Sequence, residues 1–426
     1  MNVYFKNISI VSHSKNERVN LHIIDGTIVH NSKDESSLLN DETQVIDSSS
    51  YTCLPGLFDM HVHFREPGQE YKETLETGCK SAANGGFTGV LCMPNTVPTI
   101  DHPTVVEYIA SKTKGFSVDV YSSAAITVKR EGITLSPMKQ LHDSGVLLFT
   151  DDGSSLMDSQ MMRNAFDYSS DFDGLLSQHC EDHQLTKNFA MNEGTVSEKL
   201  GLKGYPAVAE EIIIARDIQL ANYCGNRRYH VSHMSTKGGV QLVKEAKERG
   251  QRITCEVTPH HFVLTDDAVE LYGTSAKMNP PLRTSEHKDA ILKGLSDGVI
   301  DCIATDHAPH APHEKNVDFS SGANGITGLE TSFALSYTHL VKTGLVSLPV
   351  LVDLMSTNPR SILGLSPISF KVGSKANVTI VDEHQEWNIQ IENHKSKSLN
   401  TPFNGMTVFG KPLFTINNSI LTNCTL

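Results

Sequence analysis

Five short stretches of the chain hold residues that bind metal ions or move protons: His61-Val62-His63, Asp151-Asp152-Gly153, His179, His233 and Asp306. Two histidines one residue apart on a strand face the same side, so one ion can bridge them. Each piece alone has an ordinary reading. With 20 histidines in 426 residues, about one such pair arises by chance. A lone His179 or His233 is commonly a hydrogen-bonded structural residue, Asp151 can open a turn with Gly153, and Asp306 can cap a helix. Together they read differently, because each lies at or just past the end of an apolar run. Four imidazoles and two carboxylates at strand ends are costly to bury unless a cation pairs them. Nitrogen-rich ligands suit zinc or a similar first-row ion rather than magnesium or calcium. Six ligands exceed what one zinc takes. Two ions sharing a bridging carboxylate, with a hydroxide between them as nucleophile, is the expected partition.

The apolar runs come at regular intervals: 57–63, 87–93, 118–126, 146–150, 174–179, 228–234, 252–258 and 300–305. Between them lie helix-like stretches such as 69–84, 103–114, 207–224, 236–249 and 285–297. Eight strand–helix alternations predict an α/β fold, a (β/α)8 TIM-like barrel over residues 55–365. No phosphate-binding glycine motif follows the first run, which disfavours a doubly wound open sheet. The ends of the chain have another texture. Leu21–Ile24 and Thr27–His30 flank the hairpin pair Asp25-Gly26, and strand-like runs return at 377–381, 406–410 and 412–416. Residues 1–54 and 366–426 are therefore expected to form one small composite β domain.

The 38% hydrophobic content, with 30 glycines, is that of a globular chain able to bury a full core. A net charge of −13 argues against sequence-independent nucleic-acid binding. The N-terminal stretch lacks the apolar core of a signal peptide, and no apolar run is long enough to span a bilayer, so no membrane partner is expected. Eight scattered cysteines without a CxxC pair read as free thiols of a cytoplasmic protein.

The stretch DMHVHFREPGQEYKETLETGCKSAANGGFTGVLCMPNT resembles class I dihydroorotases of the amidohydrolase superfamily, as do FTDDG, QHCED, YHVSHMSTKGGV, EVTPHHFVLT, KMNPPLR and IDCIATDHAPH. The similarity runs through about residues 50–340. GSKANVTIVD and NTPFNGMTVFGKP look like the family's β domain. The resemblance implies a zinc-dependent hydrolase of de novo pyrimidine biosynthesis that interconverts N-carbamoyl-L-aspartate and L-dihydroorotate. It implies one zinc on His61, His63 and Asp306, a second on His179 and His233, and a bridge between them. Some relatives bridge with a carboxylated lysine, but the end of the fourth run has none. Asp151 is then the expected bridge with Asp152 as runner-up, since successive strand side chains face opposite ways.

Carried over in the same way, His63, Arg65, Asn95, Asn279 and His310 would contact the substrate, with Asn324 and Gly325 using backbone groups. Arg65 has its own rationale, because a guanidinium fork fits a carboxylate bidentately. A surface ion pair with Glu66 is the alternative. Asn279, before two prolines, can also be a turn residue. His260, His261 and His307 are expected to be supporting groups. Asp306 would serve as general acid and base, moving the hydroxide's proton to the leaving nitrogen. Segment 311–325 is an expected lid. Two other functions compete: another cyclic amidohydrolase, of allantoinase or hydantoinase type, and a non-catalytic scaffold subunit of aspartate transcarbamoylase. A homodimer and a transcarbamoylase association stay open as partner arrangements.

Overall fold

A computed structural model describes residues 1–13 and 15–425. Its centre is a ring of parallel strands. Leu57–Val62, Phe87–Cys92 and Asp119–Ser122 pair in order, and Leu176–Gln178, Tyr229–Val231, Ile253–Val257 and Cys302–Ile303 pair in order. The two sets join through segment 146–149, whose Phe149 bridges Ala124 on one side and Leu176 on the other. A parallel bridge between Val62 and His307 closes the ring. Phe58, Leu91, Leu148, Leu175 and Cys302 come from strands on opposite sides of the ring yet form one buried cluster, so they meet in its interior. The eightfold alternation is thus borne out, with shorter strands than the apolar runs suggested.

The helices pack outside the ring. Pro103–Lys112, Val208–Tyr223, Lys237–Glu248 and Ser285–Ser296 lie where the sequence placed them. The first helix is Leu75–Asn84 rather than 69–84. Thr74 caps it, its hydroxyl accepting from the Thr77 amide while the Thr77 hydroxyl accepts from the Thr74 amide. A cap of this kind fixes where a helix begins.

Both termini build one sheet. Its order is Ile420–Asn423, Thr407–Asn417, Val378–Asn388, Thr52–Pro55, Asn2–Ser12, Lys15–Ile24 and Thr27–Ser32, with Gln44–Asp47 also on the Asn2–Ser12 strand. The expected hairpin is present, with Asp25 at φ 46° and Gly26 at φ 75°, the left-handed pair that a tight two-residue turn needs. Gly56 links this sheet to the first barrel strand. A Cβ there would fall 2.1 Å from both Asn377 Oδ1 and Thr88 Oγ1, so only glycine lets the two layers touch. Among the described residues all eight cysteines are buried and unpaired, and no helix is long and apolar enough to cross a membrane.

Candidate active site

The strand ends converge at one rim of the ring, where an active site is normally built. His61 Nε2 lies 3.4 Å from Asp152 Oδ1 and 3.6 Å from Asp306 Oδ1. His63 Nε2 is 2.9 Å from Asp306 Oδ1 and 3.6 Å from Asp152 Oδ2. Across Asp152, His233 Nε2 is 3.6 Å from Oδ1 and 2.9 Å from His179 Nδ1. All six side chains are buried. His61 Nε2, His233 Nδ1 and Asp152 Oδ1 nevertheless have no hydrogen bond. Two basic ring nitrogens facing each other at 2.9 Å need a proton or a cation between them. The donors form two overlapping triads, His61–His63–Asp152 and Asp152–His179–His233. Unpaired buried donors of this chemistry fit two first-row divalent ions.

The structure brings Asp152, not the expected Asp151, into the cluster. Asp151 turns away from the cluster: its carboxylate accepts from the Thr127 amide at 3.0 Å and from the Thr127 hydroxyl. Asp152 faces the centre instead and belongs to both triads. The two sit in a turn just past Phe149, and the contacts with Thr127 decide which of them faces inward. Histidines 61, 233 and 63 hold Asp152 well below the usual carboxylate range against the opposing effect of burial.

Three residues of this rim have strained backbone. His233 (φ 30°), Asp306 (φ 47°) and Arg65 (φ 61°) all sit in the left-handed region. Such residues cost roughly 1–3 kcal/mol each and persist where surrounding structure fixes them. Asp59 is one such support: its carboxylate accepts from the backbone amides of His61 and Thr305.

The outer nitrogens of three histidines are also held. Glu256 Oε1 lies 2.7 Å from His61 Nδ1, Glu181 Oε2 2.9 Å from His179 Nε2, and Asn95 Oδ1 2.9 Å from His63 Nδ1. A partner behind a histidine fixes its tautomer and aims the free nitrogen inward. Sequence reasoning missed Glu181 and Glu256. Glu181 sits two residues past His179, which was the available signal; Glu256 is 195 positions from His61 and gave none.

Beside the cluster lies a cavity of about 230 Å³, lined among others by Arg65, Asn95, Asn279, His310 and Asn324. Arg65 does not pair with Glu66, whose carboxylate instead meets Lys112, Tyr108 and the Leu75 amide. Among the described residues Arg65 has no carboxylate partner. Its Nε donates to Pro309 O at 3.3 Å, and burial lowers its pKa to about 10, still charged at neutral pH. Asn279 Nδ2 donates to Glu181, leaving its buried Oδ1 unpaired, and Asn324 Oδ1 is likewise unpaired. Gly325 departs from expectation. Its amide donates to Lys277 O and its carbonyl accepts from Lys315 and Asn400, so neither group is free for a ligand.

Segment 311–325 begins with a short helix, Pro312–Lys315, and two buried lysines pin it. Lys315 Nζ donates to Ala323 O and Gly325 O, and Lys277 Nζ to Phe319 O and Ser320 O. His261 lies between Thr258 Oγ1 and Pro280 O, and His307 between Glu73 and the Gly328 amide. His260 is buried with Nε2 unpaired, and burial beside His261 keeps it well below the usual imidazole range.

The chain is similar to known proteins along most of its length. Residues 51–239 match the family model described as dihydro-orotase-like. The chain is 49% identical over 393 residues to a dihydroorotase of Chlorobaculum tepidum, covering 89% of each chain. It is 47% identical over 375 residues to one of Ruminiclostridium cellulolyticum, covering 88% of this chain and 87% of the other. The fold superposes on an L-hydantoinase of Arthrobacter aurescens with a TM-score of 0.87 at 25% identity, covering 99% of this chain and 96% of that one. Identity of this order over nine-tenths of the length settles kinship, and the chain belongs to the dihydroorotase family of amidohydrolases.

Proposed function

We propose a division of labour among these residues for the dihydroorotase reaction, the reversible ring closure of N-carbamoyl-L-aspartate to L-dihydroorotate. Two zinc ions fit the two triads: His61, His63 and Asp306 with Asp152 for one, Asp152 with His179 and His233 for the other. When bound, such ions supply an activated water at neutral pH and polarise the amide carbonyl. Asp306 moves the proton. Against burial, its hydrogen bond with His63 lowers its pKa to about 2, so the carboxylate is ionised at neutral pH. With Oδ1 toward His63, Oδ2 takes the proton from the attacking water and returns it to the ring nitrogen as the C–N bond breaks. In biosynthesis the same transfers run in reverse.

The observation that carries this reading is Arg65, a buried guanidinium without a carboxylate partner among the described residues, facing the same cavity as five of the metal-type ligands, His63, Asp152, His179, His233 and Asp306. It suits a substrate with its own carboxylate, joined by His63, Asn95, Asn279, His310 and Asn324. Fold similarity to hydantoinases does not decide the substrate, because fold alone does not carry specificity. Segment 311–325 covers the site as a lid, and residues 55–365 act as the catalytic unit beside the sheet of 1–54 and 366–426. Turnover of carbamoyl-aspartate by purified, metal-analysed protein tests the assignment. About two zinc equivalents per chain and measurable ring closure are expected; full activity with one equivalent overturns the two-ion reading.

A further inference from the structure

We infer that Asn400, a residue of the C-terminal segment, is a positioning residue for substrate recognition. Its side chain is buried and every polar group on it is used. Oδ1 accepts from the His310 amide at 2.9 Å, and Nδ2 donates to Ala308 O and Gly325 O, each at 3.0 Å. Its backbone carbonyl also accepts from the Thr327 amide at 2.9 Å. One side chain therefore ties together two loops, 307–310 and 324–327, that enter the site from either end of segment 311–325.

The loops leave little room to be held any other way. A Cβ at Gly325 would lie 2.5 Å from Ala308 O and 2.6 Å from His310 Cδ2. His310 Nε2 lies 2.9 Å from Asn324 O, so the two cavity-lining residues brace each other. Asn400 is itself anchored. The amides of Lys395 and Ser396 donate to Glu330, the Lys397 amide to Glu73, and the Ser398 hydroxyl to Lys72 O. A recognition loop must be held to within about 0.5 Å to bind well, and here the hold comes from beyond the barrel.

The inference rests on the reading of His310 as a substrate contact, and the two are separable. Asn400→Ala strands the His310 amide and Ala308 O and leaves Gly325 O to Lys315 alone, so KM for carbamoyl-aspartate and dihydroorotate should rise by about tenfold. Metal content should match wild type, and kcat should stay within about threefold, since no metal-type ligand is touched. His310→Ala should raise KM by itself, and adding Asn400→Ala should worsen it by less than about threefold, because both act through one contact. If His310→Ala raises KM and Asn400→Ala does not, the positioning role falls and the site reading stands. If Asn400→Ala raises KM and His310→Ala does not, the site reading of His310 falls while the loop-holding role of Asn400 stands. Loss of metal in Asn400→Ala, or KM effects that multiply in the double variant, overturns the role as stated. Should Asn400→Ala fail to fold, Asn400→Asp keeps the volume and the acceptor but sets an oxygen against two carbonyls, and the same KM criterion decides.

Discussion

In the terminal sheet, His22 is completely buried and both ring nitrogens are paired, Nδ1 at 2.8 Å from Ser36 Oγ and Nε2 at 2.7 Å from Asn2 Oδ1. At the barrel rim His61 is equally buried, yet only Nδ1 is paired and Nε2 faces two carboxylates without a hydrogen bond. The same chain thus buries an imidazole in two ways. At His22 both nitrogens are satisfied locally; at His61 one nitrogen is left open among other open donors, the arrangement a ligand would complete. The contrast separates residues whose loss should cost stability from those whose loss should cost chemistry.

Asp152→Asn should have the largest effect. It removes the carboxylate common to both triads, so metal content should fall to about one equivalent or less and activity by about a thousandfold. Asp151→Asn is its control, because that carboxylate is occupied by Thr127. Elemental analysis should find Asp151→Asn with wild-type metal, and the reverse pattern would restore Asp151 as the bridge. Asp306→Asn comes next: kcat should drop about a hundredfold or more in both directions. Activity within about threefold of wild type would move the proton relay elsewhere.

Arg65→Lys keeps the charge but loses the fork, and should lower kcat/KM for dihydroorotate by about 30-fold or more. Hydantoin has no carboxylate, so its turnover should change little. Equal losses on both substrates would make Arg65 structural. The smallest expected effect is on the other side of the contrast. His22→Ala should lower unfolding free energy by roughly 1–3 kcal/mol in urea titration, leaving metal content and KM unchanged. Metal loss in that variant would erase the distinction between the two kinds of histidine.

The barrel is legible in the chain because apolar run length and helical period are local properties, and eight runs in order leave few topologies. His61, His63, His179, His233 and Asp306 are legible because they follow those runs. The choice between Asp151 and Asp152 is not, since it depends on Thr127, 24 positions upstream, and on a fourth strand reduced to one bridging residue. The commitment of Gly325 to Lys277 and Asn400 is invisible for the same reason: it exists only once distant loops have met.

Closure of the ring by Val62 and His307 has a consequence for how the protein comes into being. His63 and Asp306 are 243 positions apart and meet only when the first and last strands join. Contacts of such sequence separation form late, after most of the loop-closure entropy has been overcome. A chain emerging from synthesis therefore carries its two histidines long before it has a site to put them in. Fragments ending before Asp306 should hold metal poorly, which would make metal binding a readout of completed assembly.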